Sequence, residues 1–254
     1  MRRISATLAA CAAALTLSGA SAAQELIEVD LELVLAVDIS YSVDEEEARR
    51  QREGYVTALA HPDVIGAIEG GPLGRVAVTY VEWADAGFQR AAADWTVIAS
   101  EADALAFAAA VADAPLERGH YTAIGAAIAD AVRRIETNQY TGYRRIIDIS
   151  GDGPQNQGLP LAEARTMADD ARIIVNGLPV MSDRPGRWIR PVEVNLDAYF
   201  NDNVITGPGA FVHPARTTEE FRAAILRKMT LEIAGAAPGL GELNVLAVQS
   251  GLAP

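Results

Sequence analysis

Asp38, Ser40 and Ser42 stand at alternate positions within residues 31–43, LELVLAVDISYSV, and each carries a small oxygen-bearing side chain. A carboxylate and two hydroxyls spaced two residues apart offer only oxygen donors, the set that a hard cation takes. Thr122 and Asp152 extend it, the first just before a helix and the second after the apolar run RIIDIS. Two carboxylates and three hydroxyls, with no histidine or thiol, favour Mg2+, Ca2+ or Mn2+ over zinc or copper. Neutral hydroxyls leave such a metal electron-poor. It can then accept an anionic ligand, such as a carboxylate from another molecule, in an open coordination position.

The elements that must position these residues are legible in the hydrophobic pattern. Leu33, Val34, Leu35, Ala36 and Val37 form a nearly unbroken apolar run, as in a strand buried on both faces of a parallel sheet. Residues 44–60, acidic at the start and basic in the middle, read as a helix with its dipole complemented; Val43, Tyr55, Val56 and Leu59 contribute to its inner face. Residues 75–83 and 88–98 read as strands. The link between them is too short for a parallel crossover, so they form an antiparallel hairpin at one edge. A helix follows over residues 101–113, with Leu105, Ala108, Val111 and Ala112 inward. The next carries Ile124, Ile128, Val132 and Ile135 at helical spacing. Residues 145–150 are a further strand, Leu161, Ala164, Ala168 and Ala171 mark a helix, and residues 173–180 another strand. Residues 181–209, which include Trp188, show no clear pattern; residues 210–213 suggest a short last strand. A closing helix over residues 217–234 presents Phe221, Ile225, Met229 and Ile233.

This alternation predicts one doubly wound, Rossmann-like α/β domain over residues 28–235, its sheet mostly parallel with one antiparallel edge strand and helices on both faces. In a right-handed parallel sheet the strand-to-helix corners fall on one edge, so Asp38, Ser40, Ser42, Thr122 and Asp152 converge there despite their separation in sequence.

Ahead of the domain, Arg2 and Arg3 precede an apolar segment running to about residue 17 and then Ser-Gly-Ala-Ser-Ala-Ala, the three regions of a secretory signal peptide. Cleavage after Ala22 or Ala23 is expected, giving a secreted, periplasmic protein with residues 236–254 as a C-terminal tail. A membrane anchor needs about 20 apolar residues, more than are present. A lipoprotein cleavage box ending at Cys11 is the alternative processing. Cys11 is the only cysteine and lies inside the leader, so the mature chain has neither a disulfide nor thiol chemistry. Losing Arg2 and Arg3 takes the formal net charge from −13 to −15. Such a chain suits neither nucleic acid nor an anionic membrane, and it attracts cations.

Asp38-Ile39-Ser40-Tyr41-Ser42 matches the Asp-x-Ser-x-Ser motif of the von Willebrand factor type A (vWA) domain. Thr122 and Asp152-Gly153 match the other two parts of that family's metal-ion-dependent adhesion site, in the same order. The resemblance covers nearly all of the mature chain and is nearest to secreted bacterial single-domain members of undefined role. It implies that Asp38, Ser40, Ser42, Thr122 and Asp152 hold a divalent cation, Mg2+ first and Ca2+ or Mn2+ as alternatives, some directly and some through water. It also implies a binding module whose metal accepts an Asp or Glu from a protein partner.

Each residue also has a plainer reading. Ser42-Val43-Asp44-Glu45 fits a capping box, Thr122 an N-cap and Asp152-Gly153 a turn. His61, His120 and His213 show no zinc spacing, although His120 could line the rim of the site. A metal-dependent hydrolase acting on phosphate esters is the competing function. Against it, Ser40 stands where an Asp-x-Asp motif has its second aspartate, and no glycine-rich phosphate loop or Ser-His-Asp grouping is present.

Overall fold

The computed structural model describes residues 25–43, 45–181 and 195–235. The leader, the C-terminal tail, Asp44 and Trp188 lie outside the described residues. Five strands, β1 (Ile27–Asp38), β2 (Val76–Trp83), β3 (Gln89–Ile98), β4 (Tyr140–Gly151) and β5 (Ile174–Pro179), form one sheet in the order β3-β2-β1-β4-β5. All neighbours are parallel except β3, which pairs antiparallel with β2 at the edge, as the short link requires. Seven helices complete the described fold: α1 (Glu45–Leu59), α2 (Pro62–Glu69), α3 (Glu101–Asp113), α4 (Ile124–Glu136), α5 (Leu161–Asp170), α6 (Leu196–Asn203) and α7 (Thr218–Ala234).

The central strand explains the layering. Leu31, Leu33, Leu35 and Val37 enter a core with residues of α1, α2, α3 and α7, whereas Val34 and Ala36 enter a second core with residues of α4, α5 and α6. The unbroken apolar run is therefore a strand feeding two cores at once. Ile124, Ile128, Val132 and Ile135 of α4 and Phe221, Ile225, Met229 and Ile233 of α7 are all buried. Each fully buried aliphatic side chain of this kind contributes about 1.5–3 kcal/mol.

Several expectations need correction. In α3 the inward face is Ala104, Phe107, Ala108 and Val111, while Leu105 is 49% exposed. The helix is apolar nearly all round, and the bulky Phe107 decides which face turns inward. Residues 210–213 form no strand; Val212 and Ala215 make only isolated bridges to Gly177 and Val180. Pro208 and Pro214 flank that segment and cannot donate to a ladder. The short helices α2 and α6 carry start signals that the sequence reading passed over, Pro62 after the capping residue His61 and the capping residue Asn195.

One polar cluster interrupts the core beneath α7. Lys228 is 0% exposed, with its Nζ 2.7 Å from Asp148 Oδ1 on β4 and also paired with Glu232 one turn along the same helix. Asn176 of β5, the register partner of Asp148, donates from Nδ2 to Glu232 Oε1 at 2.8 Å. The Tyr55 ring of α1 and the half-buried His213 face the same cluster; burial and then the Asp148 carboxylate push the Tyr55 hydroxyl up, while burial and then Arg227 and Lys228 lower the His213 imidazole against the pull of Asp148. Burial first, and then the Asp148 carboxylate, push the Glu232 carboxyl up to about 7, against the opposing pull of Lys228.

A raised carboxyl pKa favours the fold while the group is protonated. The contribution is complete below the ordinary value of 4.5 and is lost as pH rises through about 7. We expect Glu232→Gln to match the parent near pH 5 and to exceed it in thermal stability near pH 8. A melting-temperature difference that does not vary between those two pH values would show that Glu232 does not titrate in this window.

Candidate metal centre

The strand order reverses direction at β1: the chain steps to β2 on one side and later to β4 on the other. The crevice between the carboxyl ends of β1 and β4 is thus the topological switch point, where sheets of this kind bind ligands. Asp38 is the last residue of β1, and Asp152 directly follows β4. Both carboxylates are buried, as are Ser40 and Thr122.

Hydrogen bonds tie the five residues together. Ser40 donates its backbone N–H to Asp38 Oδ1 at 2.8 Å. Ser42 Oγ donates to Asp152 Oδ1 at 2.7 Å and lies 3.0 Å from Ser40 Oγ. Thr122 Oγ1 reaches Ser40 Oγ at 3.5 Å. The structure thus brings together all five residues proposed from sequence.

The plainer readings can be checked against the same geometry. The helix after the motif begins at Glu45, so Ser42 precedes it by three residues and its hydroxyl turns to Asp152. The residue capping α4 is Ala123, which has no side-chain cap bond; Thr122 therefore does not serve that purpose. The N-terminus of α4 is met from the loop after β4, where Gln155 Oε1 accepts from Gly125 N–H at 2.7 Å. Asn156 Oδ1 accepts from Thr122 N–H, and Thr122 O accepts from Asn156 N–H, both at 2.9 Å. The sequence reading missed these two amide side chains as positioning residues. Their signal was the placement of Gln and Asn just after Asp152-Gly153-Pro154.

The loop bearing Thr122 is fixed along its length. Glu82 of β2, 1% exposed, pairs with Arg52 of α1 and Arg90 of β3. The same arginines donate to the carbonyls of Ala114 and Pro115, where the loop leaves α3. Farther along, His120 N–H donates to Asp85 Oδ2 at 2.8 Å, and Gly119 N–H meets Ile39 O at 3.3 Å. Only glycine fits at position 119, since a Cβ would lie 2.3 Å from Asp85 Oδ2 and 2.4 Å from Ala84 Cβ.

The electrostatics of the pair are unbalanced. Burial pushes the Asp38 carboxyl well above the usual carboxylate range, and the neighbouring Asp152 carboxylate pushes it further; the opposing influences are hydrogen bonds from Ser40 and Asp152. Asp38 Oδ2 is buried without a hydrogen-bond partner. Gly151 keeps the space beside this oxygen small but open, since a Cβ there would approach it to 3.2 Å. A buried, unpaired carboxylate oxygen facing hydroxyls and a second carboxylate fits a hard cation well. The described residues contain no group of three or more His, Cys, Asp or Glu placed to hold a metal, and the candidate set here has two carboxylates and three hydroxyls.

Solved structures share this fold. Pilus adhesin SpaC from Lactobacillus rhamnosus GG aligns with a TM-score of 0.59 at 14% identity, over 83% of this chain and 30% of that one. Proximal thread matrix protein 1 from the mussel byssus, with a zinc-occupied metal-ion-dependent adhesion site, aligns at 0.56 and 12%, over 81% and 46%. The von Willebrand factor type A protein from Catenulispora acidiphila aligns at 0.54 and 19%, over 82% and 43%. The chain therefore spans less than half of each of these structures. At such identities the likeness establishes the fold, which is that of a vWA domain. No curated protein shows significant sequence similarity to the chain.

If the two carboxylates oppose each other in the absence of metal, removing one charge stabilises the metal-free fold. In chelator, Asp38→Asn is expected to gain ~1 kcal/mol, about 2–4 °C in melting temperature for a chain of this size. A loss of stability would show that the carboxylates are already compensated within the protein. The family described as "Protein of unknown function (DUF1194)" matches residues 28–237, and the chain belongs to that family.

Proposed function

We propose that this protein is a divalent-cation-dependent binding module. The observation that carries the reading is the buried, unpartnered Oδ2 of Asp38, set against Asp152 and three hydroxyls at the switch point of the sheet. Asp38, Ser40, Ser42, Thr122 and Asp152 would hold the cation, with Mg2+ as the expected occupant and Ca2+ or Mn2+ as alternatives. The bound cation would supply a positive, electron-poor centre that takes a carboxylate from an Asp or Glu of a protein partner.

The pilus adhesin and the byssus matrix protein support a role in adhesion or assembly rather than catalysis. Among the described residues, no helix is long and apolar enough to cross a membrane. We place the mature protein outside the cytoplasm after cleavage of the leader at Ala22 or Ala23.

Calorimetric titration of the chelator-stripped mature chain with Mg2+, Mn2+ and Ca2+, beside Asp38→Ala, tests the reading. Saturable binding to the parent and none to the variant is expected. Cation at a hundredfold excess over its dissociation constant should raise the parent's stability by ~2.7 kcal/mol, about 5–10 °C. Equal binding by parent and variant would place the cation elsewhere and defeat the assignment.

A further inference from the structure

The candidate centre has an organised rim that the five donors do not explain. Seven large hydrophobic side chains are exposed among the described residues, and two of them, Tyr41 and Tyr121, each adjoin a candidate donor in sequence. Tyr41 lies between Ser40 and Ser42 and is 54% exposed; Tyr121 precedes Thr122 and is 50% exposed. Neither ring contributes to the core, and a large exposed ring on a surface loop gains nothing from solvent contact.

The Tyr41 ring is nevertheless held in place. His120 stacks on it with ring centroids 6.0 Å apart and planes inclined by 28°. Arg118 places its guanidinium carbon 5.4 Å from the ring centroid. The same guanidinium donates to Tyr41 O at 3.0 Å and to Val43 O, joining the rim loop to the donor loop. The bond from His120 N–H to Asp85 and the tight fit of Gly119 fix the other side. Amphipathic rings on a preorganised backbone lose little entropy on binding, as at the anchoring positions of protein interfaces. Arg118 also supplies local positive charge on a chain of net charge −13, which would otherwise repel an acidic partner.

We infer that Tyr41, Tyr121, His120 and Arg118 form a recognition surface for a protein loop in which the metal-seeking Asp or Glu is flanked by an aromatic side chain. This inference rests on the metal-binding reading and adds to it the partner's second determinant. The carboxylate would engage the cation while the neighbouring ring packs on the tyrosines. Aromatic pairs of this kind are worth about three- to tenfold in affinity.

The test uses the full mature chain saturated with Mg2+ and three synthetic peptides. One is acetyl-Gly-Gly-Phe-Asp-Gly-Gly-amide, the second has Gly in place of Phe, and the third has Asn in place of Asp. Binding is followed by NMR titration, and the Mg2+ affinity of every protein is measured separately by calorimetry. The expected result has the Phe-Asp peptide bound about three- to tenfold more tightly than the Gly-Asp peptide, with no binding of the Asn peptide. In Tyr41→Ala/Tyr121→Ala the preference should disappear while Mg2+ affinity stays at the parent value.

Equal binding of the first two peptides, a preference that survives the double substitution, or no peptide binding to the Mg2+-loaded chain would overturn the inference while leaving the metal site standing. Tighter binding of a polygalacturonate trimer than of either peptide would also overturn it, in favour of a carbohydrate ligand. Failure of the parent to bind Mg2+, Mn2+ or Ca2+ in the calorimetric control would instead remove the underlying reading, and this inference with it.

Discussion

Two carboxylates facing each other in a buried crevice, at the ends of neighbouring parallel strands, set the terms for the rest of this molecule. Desolvation makes each ionised group costly, and proximity makes the second more costly than the first. The crevice exists because the chain reverses its direction of sheet growth at β1, leaving the ends of β1 and β4 without a crossover between them. Everything near it fixes oxygen positions. Ser40 holds Asp38, Ser42 holds Asp152, and the loop carrying Thr122 is anchored by Glu82 at its start and Asn156 at its end.

Two other groups of buried acids make a useful contrast. Glu82 is matched by two arginines, and Asp148 with Glu232 by a fully buried lysine. There the chain supplies its own cation. Around Asp38 the influences that favour ionisation are hydrogen bonds, and none comes from a basic side chain. A buried carboxylate with an unpartnered oxygen, a second carboxylate beside it and no basic side chain against it has the makings of a site completed from outside. The Lys228 cluster has a different use. The apolar residues of α7 repeat every four positions, at 221, 225, 229 and 233, and such a ridge tolerates sliding by one turn. Lys228 meeting Asp148 on β4, and Glu232 meeting Asn176 on β5, fix one register.

How much could be read beforehand depended on whether a signal was local. The two-core strand announced itself because burial on both faces removes alternation, and the hairpin followed from the short link between two apolar runs. Five oxygen-bearing residues in order were enough to nominate the site. What escaped the sequence was decided by tertiary competition. Phe107 and Leu105 are equally apolar, and only the space beside β3 chooses between them. Gln155 and Asn156 are unremarkable loop residues until α4 is found to lack a cap of its own. Ser42 resembled a helix cap because the capping pattern and the donor pattern use the same small hydroxyl. Which role it takes turns on where α1 begins, and that start at Glu45 is too far along for Ser42 to serve it.

The same fold occurs in a bacterial pilus adhesin and in a matrix protein of the mussel byssus, so the sheet and its helices do not decide what is bound. A carboxylate-and-hydroxyl cradle does not decide it either, because any exposed Asp or Glu could approach a cation held there. Selectivity must therefore come from residues that are near the cradle, fixed in place and outside the donor set. In this chain Tyr41 meets those conditions most directly. It is carried between two donors, gripped by Arg118 and His120, and still more than half exposed. Its backbone is continuous with Ser40 and Ser42, so the ring stands at a fixed distance from the cradle.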